Sequence, residues 1–379
     1  MCLTALNQPG REENTQIALA AESGSWHTPT MRATDKWLAF AAVITLIASA
    51  TVAADDLSLA GPRTPSRRDV TVARPDGSTF VATVHYPATS TDVGAPVDVG
   101  SGPFPLLAFG HGFVTPVNLY LSTGSHLASW GIVVILPQSQ GGLLPSHAGF
   151  AADLVSSMDW LAAQSAVVGS PWQGAIDAER RAVAGHSMGG GCALLAAKSD
   201  ARIRAVIGQA AANTNPSSIT AAVDVRCATR LIVGSQDTIV PPSSTSAMYP
   251  NLSGAAQSIT ISGGFHCGFI DSAIVFCDSG SISRAQQLAT TRREMTEFLL
   301  LYLVGDRSRC SEVWSDPPPG DGVVQLSRRS ADLDGNGRVD GADLTLLLSA
   351  FGSDGCIDLN GDGIVDGADL TLLLAVWSA

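Results

Sequence analysis

Residues 180–199 read RRAVAGHSMGGGCALLAAKS, and this stretch decides the fold. Its first six residues are typical of a buried strand, and the apolar residues after the glycines are typical of a helix. Between them lies the pattern G-x-S-x-G, which places a serine on a sharp strand-to-helix turn with its hydroxyl exposed. We expect glycine at 185 and 189 because side chains there would clash in the turn. Ser187 is therefore the candidate nucleophile, and the alternative is a glycine-rich turn with a solvated serine.

Alternating strand and helix patterns extend from this turn in both directions. An antiparallel pair of strands is predicted at 69–74 and 79–86. Further strands are predicted at 103–110, 131–137, 180–185, 203–208, 229–234 and 257–262. Helices are predicted at 118–130, 150–165 and 283–303. Strands that alternate with helices indicate an α/β fold with a mostly parallel sheet covered on both faces, here of the α/β-hydrolase type, over residues 61–312.

Chain order identifies the partners of the candidate nucleophile. In the α/β-hydrolase fold the nucleophile is followed by the acid and then by the histidine, and His266 is the one histidine after Ser187. The aspartates between them are Asp200, Asp224 and Asp237. Of these, Asp237 alone follows the carboxyl end of a predicted strand, the edge at which ligands bind in such sheets. The sequence therefore predicts a catalytic triad in which His266 acts as the base and Asp237 fixes the imidazole tautomer.

Two backbone N–H groups are predicted to form the oxyanion hole. One belongs to Met188, the residue after the nucleophile, and the other comes from the loop FGHGF at 109–113. In that loop we assign the N–H of Phe113. His111 and His186 flank the site but precede the nucleophile, so we expect them to be supporting polar groups. This chemistry requires no cofactor.

Several motifs carry a resemblance to a known family. They are GHSMGGG at 185–191, DTIVP at 237–241, GGFHC at 263–267 and PFPLLAFGHGF at 103–113. Over most of 61–305 the sequence resembles the bacterial cutinase-type polyester hydrolases, which include PET-degrading enzymes. The resemblance implies hydrolysis of carboxylic esters, in the esterase, lipase or cutinase class, through an acyl-enzyme on Ser187.

One position departs from that family. The family usually has a Trp in the loop after the strand that follows the nucleophile helix, where it lines the substrate cleft. Here the loop reads GQAAAN at 208–213, and Ala212 holds that position. We therefore expect small or aliphatic esters to be better substrates than aromatic polyesters. A peptidase or a dienelactone hydrolase is an alternative, although dienelactone hydrolases typically use Cys where this chain has Ser187.

The acidic tail contains two near-identical copies of one pattern. DLDGNGRVDGADLTLLLSAF begins at Asp332 and DLNGDGIVDGADLTLLLAVW begins at Asp358. Each fits a calcium loop, with oxygen ligands at positions 1, 3 and 5, Gly at 6, a backbone carbonyl at 7 and a carboxylate at 12. The predicted ligands of two Ca²⁺ ions are Asp332, Asp334, Asn336, Arg338 and Asp343 in the first loop, and Asp358, Asn360, Asp362, Ile364 and Asp369 in the second. A merely solvated acidic tail is the alternative, but it would not place leucines at fixed offsets.

These repeats resemble a dockerin. Position 12 is Asp rather than the Glu of ordinary EF-hands, and residues 344–357 leave room for one helix between the loops. The resemblance covers 331–379 and implies a small all-α module that docks onto a cohesin-like partner. Residues 313–330, which include Pro317, Pro318 and Pro319, are predicted to be a linker.

The N-terminal residues carry the features of an export signal. An apolar run at 37–54 follows Arg32 and Lys36 and ends in small residues. We predict that residues 1–54 are a leader with a signal peptide, that the true start is Met31, and that the mature protein is secreted without a membrane span. An uncleaved membrane anchor is the alternative.

Six cysteines lie beyond this leader, and an even number in an exported chain suggests disulfides. We predict that Cys267 pairs with Cys277, because only a short loop separates them. The pairing of the other cysteines stays open, and buried free thiols are the alternative.

The net charge and its distribution along the chain exclude one class of function. The formal net charge is -12, and residues 331–379 hold nine Asp and a single Arg, so much of the acidity belongs to the tail. No basic surface suited to nucleic acid is indicated. Two function classes remain: an exported esterase tethered by its tail, and a calcium-dependent binding or scaffold protein with an inert hydrolase domain. The complete triad favours the esterase.

Overall fold

One mixed sheet organises the described part of the chain. The structure is a computed structural model that describes residues 56–334, 338–353 and 356–378. The strands are β1 (Pro65–Ala73), β2 (Thr79–Pro87), β3 (Phe104–Gly110), β4 (Val133–Pro137), β5 (Ile176–His186), β6 (Ile203–Gln209), β7 (Ala228–Gly234), β8 (Ala256–Ile261) and β9 (Val323–Arg328). They lie in the order β1-β2-β4-β3-β5-β6-β7-β8-β9. Strands β3 to β8 are parallel to one another, whereas β1, β2 and β9 pair antiparallel with their neighbours.

Helices cover both faces of this sheet. Those of the main body are α1 (Leu121–Ser129), α2 (His147–Ala166), α3 (Met188–Ser199), α4 (Ser218–Ala221), α5 (Pro242–Ser246), α6 (Arg284–Leu299) and α7 (Cys310–Trp314). The helices pack on the sheet through two apolar clusters. Helices α2 and α3 contribute Leu154 and Leu194 to one cluster, and α1 and α6 contribute Leu127 and Phe298 to the other. Every residue of β3, β4 and β7 is buried, as expected for strands covered on both faces. The predicted α/β architecture and its opening antiparallel pair are confirmed.

The structure corrects the prediction of a linker at 313–330. Residues 323–328 form β9, which pairs antiparallel with β8 from Ile261 opposite Val323 to Ala256 opposite Arg328. The proline- and glycine-rich residues before it make only the turn that leads into this strand. Because β9 is an edge strand with no buried residue, it lacks the continuous apolar run that identified the central strands.

Two short helices follow the acidic loops of the tail, α8 (Gly341–Ser349) and α9 (Gly367–Ala375). Each begins with a capping box, in which an aspartate before the helix and an aspartate in its first turn bond each other's backbone N–H groups. Equivalent residues of the two copies form a common core, in which Val339 matches Val365 and Leu347 matches Leu373. The repeat in the sequence is thus a repeat in the structure.

Disulfides tie two segments of the described chain. Cys267 pairs with Cys277, which confirms the sequence prediction. Cys310, at the start of α7, pairs with Cys356, between the two tail repeats, and so links the tail to the main body. The other two cysteines of the described residues, Cys192 and Cys227, are buried free thiols, and burial raises the pKa of each to about 12.

Two parts of the sequence interpretation fall outside the described residues. They are the leader at 1–54 and Asn336 of the first calcium loop. Among the residues that the structure describes, no helix is long and apolar enough to cross a membrane.

Candidate active site

The turn between β5 and α3 holds Ser187 in an unusual backbone conformation. Its φ of 57° and ψ of -119° lie in a region that side-chain-bearing residues rarely adopt. Glycines surround it because the backbones approach closely: a Cβ on Gly185 would lie 2.4 Å from the Gly189 carbonyl oxygen, and a Cβ on Gly189 would lie 2.1 Å from the Gly110 oxygen. The close packing explains the G-x-S-x-G pattern. It also brings the end of β3 against the start of α3.

Asp237 and His266 meet at the carboxyl edge of the sheet. Asp237 follows β7 and His266 follows β8, two adjacent parallel strands. The His266 Nδ1 lies 2.8 Å from the Asp237 Oδ2. The other oxygen of Asp237 accepts hydrogen bonds from the backbone N–H groups of Ile239 and Val240 at 2.9 and 2.8 Å. The carboxylate is therefore fixed and shielded from water, and it leaves the Nε2 of His266 for the nucleophile.

The two other aspartates between the nucleophile and the histidine lie away from this edge. Asp200 ends α3 and binds the guanidinium of Arg202 through both oxygens, at 2.7 and 2.8 Å. Asp224 pairs with Lys198 at 2.8 Å. Both carboxylates are thus paired with cationic side chains near the carboxyl end of α3, away from the edge that holds His266.

His186 connects the nucleophile turn to the histidine loop. Its ring centroid lies 4.5 Å from that of His266. Burial, with a smaller contribution from the charge of His266, holds the pKa of His186 well below its ordinary value. His186 therefore stays neutral and packs against the ring of His266.

A single hydroxyl links the predicted oxyanion loop to the nucleophile turn. The Tyr120 hydroxyl accepts a hydrogen bond from the Gly112 N–H at 3.0 Å, and it lies 2.9 Å from the His186 Nδ1. Phe113, the next residue of the loop, is half exposed. Met188 begins α3, so its N–H has no acceptor within the helix. The structure thus holds the two predicted oxyanion donors on segments that are tied together.

Ala212 lies beside the nucleophile. Its backbone N–H donates to the Ser187 carbonyl oxygen at 3.0 Å, and its own carbonyl accepts from the Ser218 hydroxyl at 3.0 Å. The backbone of residue 212 therefore lies next to that of Ser187. The methyl group of alanine offers no aromatic surface there.

Asp278 is a residue of the site that the sequence motifs did not identify. Its carboxylate accepts hydrogen bonds from the backbone N–H groups of His266 at 2.9 Å, Cys267 at 3.0 Å and Thr238 at 3.2 Å. It therefore joins the loop that holds His266 to the loop that holds Asp237. The one signal in the sequence is its neighbour Cys277, whose disulfide brings residue 278 back to the histidine loop.

In the first tail loop three carboxylates lie close together, as they do in calcium loops. In the first loop, ligand oxygens of Asp332, Asp334 and Asp343 lie within 4.8 Å of one another. Asp343 is fully buried and accepts from the N–H groups of Leu333 and Asp334, at 2.6 and 3.1 Å. Three carboxylates this close repel one another strongly unless a cation lies between them. The donor set, all oxygen, fits Ca²⁺.

The second loop repeats the buried carboxylate at position 12. Asp369 is fully buried and accepts from the N–H groups of Leu359 and Asn360, at 2.7 and 3.1 Å. Asp358 accepts from the N–H groups of Gly361 and Gly363, at 2.7 and 2.9 Å. Counted along the sequence, Arg338 and Ile364 are position 7 of their loops, and Asp362 is position 5 of the second.

Comparisons with known proteins cover the part of the chain that holds the candidate triad. A family model described as PET hydrolase-like matches residues 53–282. A curated relative, the bis(hydroxyethyl) terephthalate hydrolase of Streptomyces coelicolor, is 30% identical over 188 residues, which make up 46% of this chain and 54% of that protein. The chain thus spans about half the length of that relative. The tail repeats lie outside the family match.

Proposed function

Because the chain belongs to the PET hydrolase-like family, we propose that it is a serine carboxylic-ester hydrolase with an α/β-hydrolase fold. The observation that carries this proposal is the buried Asp237–His266 pair, joined at 2.8 Å, at the same sheet edge as the Ser187 turn. An acid–base pair and a serine on a strained strand-to-helix turn are the parts that acyl transfer requires.

The proposed reaction proceeds through an acyl-enzyme. His266 takes the proton of the Ser187 hydroxyl as its oxygen attacks the ester carbonyl carbon, and Asp237 stabilises the imidazolium that forms. The N–H groups of Met188 and Phe113 bind the carbonyl oxygen as it becomes negative. His266 then gives its proton to the departing alcohol. A water molecule, activated by the same histidine, hydrolyses the acyl-enzyme, and no cofactor takes part.

Small esters are the proposed substrates. Ala212 supports this, because its methyl group beside Ser187 provides no aromatic face against which a polymer ring could stack. The relative in Streptomyces coelicolor is named for bis(hydroxyethyl) terephthalate, which makes short diesters of that kind candidates alongside aliphatic esters. Aromatic polyester films are proposed to be poor substrates.

The tail is proposed to be a dockerin-like module that binds two Ca²⁺ ions and a cohesin-like partner. Support comes from the three close carboxylates of the first loop, and from Asp369 of the second loop, which accepts the same two backbone hydrogen bonds as Asp343. Residues 332, 334, 336, 338 and 343 would hold one ion, and residues 358, 360, 362, 364 and 369 the other. With the predicted signal peptide, this describes a secreted esterase attached to a partner by its tail.

A second candidate function is a calcium-dependent binding protein whose hydrolase domain is inert. Labelling with a fluorophosphonate probe separates the two candidates. An active triad labels Ser187 covalently, and Ser187→Ala abolishes the label. A wild-type chain that remains unlabelled, and that hydrolyses none of a chain-length series of p-nitrophenyl esters, would favour the binding protein.

A further inference from the structure

Gly112, in the predicted oxyanion loop, is held through both of its backbone groups. Its N–H donates to the Tyr120 hydroxyl at 3.0 Å. Its carbonyl oxygen lies 2.8 Å from the His111 Nδ1 and accepts from the Thr115 N–H at 3.1 Å. That carbonyl belongs to the same planar peptide as the N–H of Phe113, the proposed oxyanion donor, and the two groups point in opposite directions. The contacts on the Gly112 carbonyl therefore fix the direction of the Phe113 N–H.

His111 is a buried support for this peptide. Its ring centroid lies 4.7 Å from that of Phe150 on α2, and its Nε2 lies 2.9 Å from the Ser139 carbonyl oxygen in the loop after β4. A carbonyl oxygen only accepts, so a ring nitrogen bonds it only as an N–H. The Nδ1–H is present in the imidazolium and in one neutral tautomer, and in either form its acceptor is Gly112.

The oxyanion loop lies against the residues that surround the nucleophile. A Cβ on Gly112 would lie 3.4 Å from the Nδ1 of His186, the residue directly before Ser187. On the other side of the turn, a Cβ on Gly189 would lie 2.7 Å from the His111 carbonyl oxygen. The loop thus packs on both sides of Ser187, within reach of an ester bound there.

The backbone of this loop is held in a conformation that its sequence does not favour. Val114, a β-branched residue, has a φ of 52°, in the left-handed region. Such a conformation persists where the surrounding contacts over-determine it, and here those contacts include the ones on Gly112. Within the part of the chain that the structure describes, the backbone hydrogen bonds of the loop leave the Phe113 N–H without an acceptor. That N–H is therefore available to a substrate oxygen.

We infer that His111 is a positioning residue: its Nδ1–H donates to the Gly112 carbonyl and so aims the Phe113 N–H at the carbonyl oxygen of the ester. The inference rests on the proposed ester hydrolase function. The contact fixes the plane of the peptide, and it also polarises the peptide, because linked hydrogen bonds strengthen one another. Both effects count most when the ester oxygen becomes negative, so they should raise kcat and leave substrate binding unchanged.

The test separates the two ring nitrogens of His111. His111→Phe keeps a ring and removes both donors, His111→Asn keeps an N–H donor at the Nδ1 position, and His111→Gln keeps one at the Nε2 position. Hydrolysis of p-nitrophenyl butyrate is expressed per Ser187 labelled to completion by a fluorophosphonate, so that unfolded protein does not count. We expect kcat to fall about 100-fold in the Phe and Gln variants with KM unchanged, the lower end of the cost of one oxyanion donor. The Asn variant should recover about tenfold of this loss, because it restores the bond to Gly112.

A boronic acid gives a readout that does not depend on turnover. 1-Butaneboronic acid adds to the Ser187 hydroxyl and places an oxygen where the oxyanion would lie, so its Ki should rise in His111→Phe by the factor by which kcat falls. His126→Gln is the matched control. His126 is also a buried histidine, but its Nε2 lies 2.9 Å from the Thr296 hydroxyl, between α1 and α6. This variant should leave kcat per labelled site, KM and Ki unchanged.

Several results would overturn the inference. A kcat per labelled site that no His111 variant changes would remove the positioning role, and a rise in KM alone would make His111 a substrate-binding residue. Recovery in His111→Gln rather than in His111→Asn would transfer the effect to the Ser139 contact. An equal loss in His126→Gln would show that any buried histidine has this effect. In each case hydrolysis persists and the proposed function stands, whereas a wild-type chain that hydrolyses no ester and is not labelled at Ser187 would refute both.

Discussion

The carboxylate of Asp278 accepts a 2.9 Å hydrogen bond from the backbone N–H of His266. The same carboxylate accepts from Thr238, the residue after the acid of the proposed triad. Asp278 therefore sets the distance between the two loops that must bring an imidazole to a carboxylate. It touches neither the substrate nor the reacting atoms, and we regard it as a positioning residue.

Removal of Asp278 should lower turnover without removing the triad. We expect Asp278→Ala to reduce kcat by about 100-fold, the scale of a displacement of about 1 Å, with little change in KM. Asp278→Asn keeps one acceptor and should retain more activity than the alanine variant. Steady-state kinetics on p-nitrophenyl butyrate checks both. Asp271→Asn is the control, because Asp271 lies within the same disulfide-closed segment but bonds Ser122. Equal losses for Asp271→Asn and Asp278→Asn would contradict the positioning role.

Substitution of the proposed triad should be far more severe. Ser187→Ala or His266→Ala should lower kcat by several orders of magnitude, on the order of 10⁶ in a well-characterised serine hydrolase. Asp237→Asn should cost about 10⁴, because the wrong imidazole tautomer is then stabilised. Asp200→Asn serves as the control, since that carboxylate binds Arg202 beyond the carboxyl end of α3, away from His266. A larger loss for Asp200→Asn than for Asp237→Asn would refute the assignment of the acid.

The three residues of the proposed triad could be chosen from the sequence because each has a local signal. Ser187 lies in a turn motif, and Asp237 and His266 each follow an apolar strand whose carboxyl end is recognisable from the sequence. The fold could be predicted for the same reason, because central strands that are buried on both faces have continuous apolar runs.

What could not be predicted depends on contacts distant in the sequence. The half-exposed strand β9 has no apolar run, and its position is set only by pairing with β8. The Cys310–Cys356 disulfide joins two residues that are 46 positions apart, one in the main body and one in the tail, and nothing in their local sequence indicates this pairing. Asp278 lies on a loop whose course depends on the Cys267–Cys277 disulfide.

The preference for small esters should depend on the side chain at position 212. We expect faster hydrolysis of p-nitrophenyl esters with short to medium acyl chains than of an aromatic polyester, because Ala212 offers no stacking surface beside Ser187. The measurement is a chain-length series together with terephthalate release from a PET film. Efficient release of terephthalate would contradict this prediction and would show that another residue supplies the aromatic contact.

Acid should destabilise the main body through a buried histidine. His126 links α1 to α6, with its Nε2 2.9 Å from the Thr296 hydroxyl, and burial lowers its pKa to about 4 from an ordinary value of 6.5. Between these values the unfolded chain binds the proton and the folded chain does not, so stability falls as pH decreases from 6.5 to 4. One unit of pKa corresponds to about 1.4 kcal/mol, which makes the loss a few kcal/mol at most. Thermal unfolding across this range should show a shallower pH dependence for His126→Gln, and an unchanged slope would assign the effect to other groups.

Calcium should order the tail and leave catalysis unaffected. Without a cation, Asp332, Asp334 and Asp343 hold negative charges within 4.8 Å of one another, and their repulsion opposes the compact loop. Helices α8 and α9 have nine residues each and are too short to be stable alone. Calcium removes the repulsion and fixes both loops, so that the leucine faces can pack and binding energy becomes folding energy.

The measurement uses the full chain, titrated with Ca²⁺ after treatment with EDTA. We expect two calcium ions per chain by calorimetry, and Asp343→Ala or Asp369→Ala should each remove one. Proteolysis within 331–379 should be faster in EDTA and slower in calcium. The tail stays attached in both states because the Cys310–Cys356 disulfide joins it to α7. Hydrolysis of p-nitrophenyl butyrate should continue at the same rate in EDTA, since none of the predicted calcium ligands belongs to the proposed triad. A proteolysis pattern that does not respond to calcium would mean that the disulfide and β9, rather than metal ions, hold the tail in its fold.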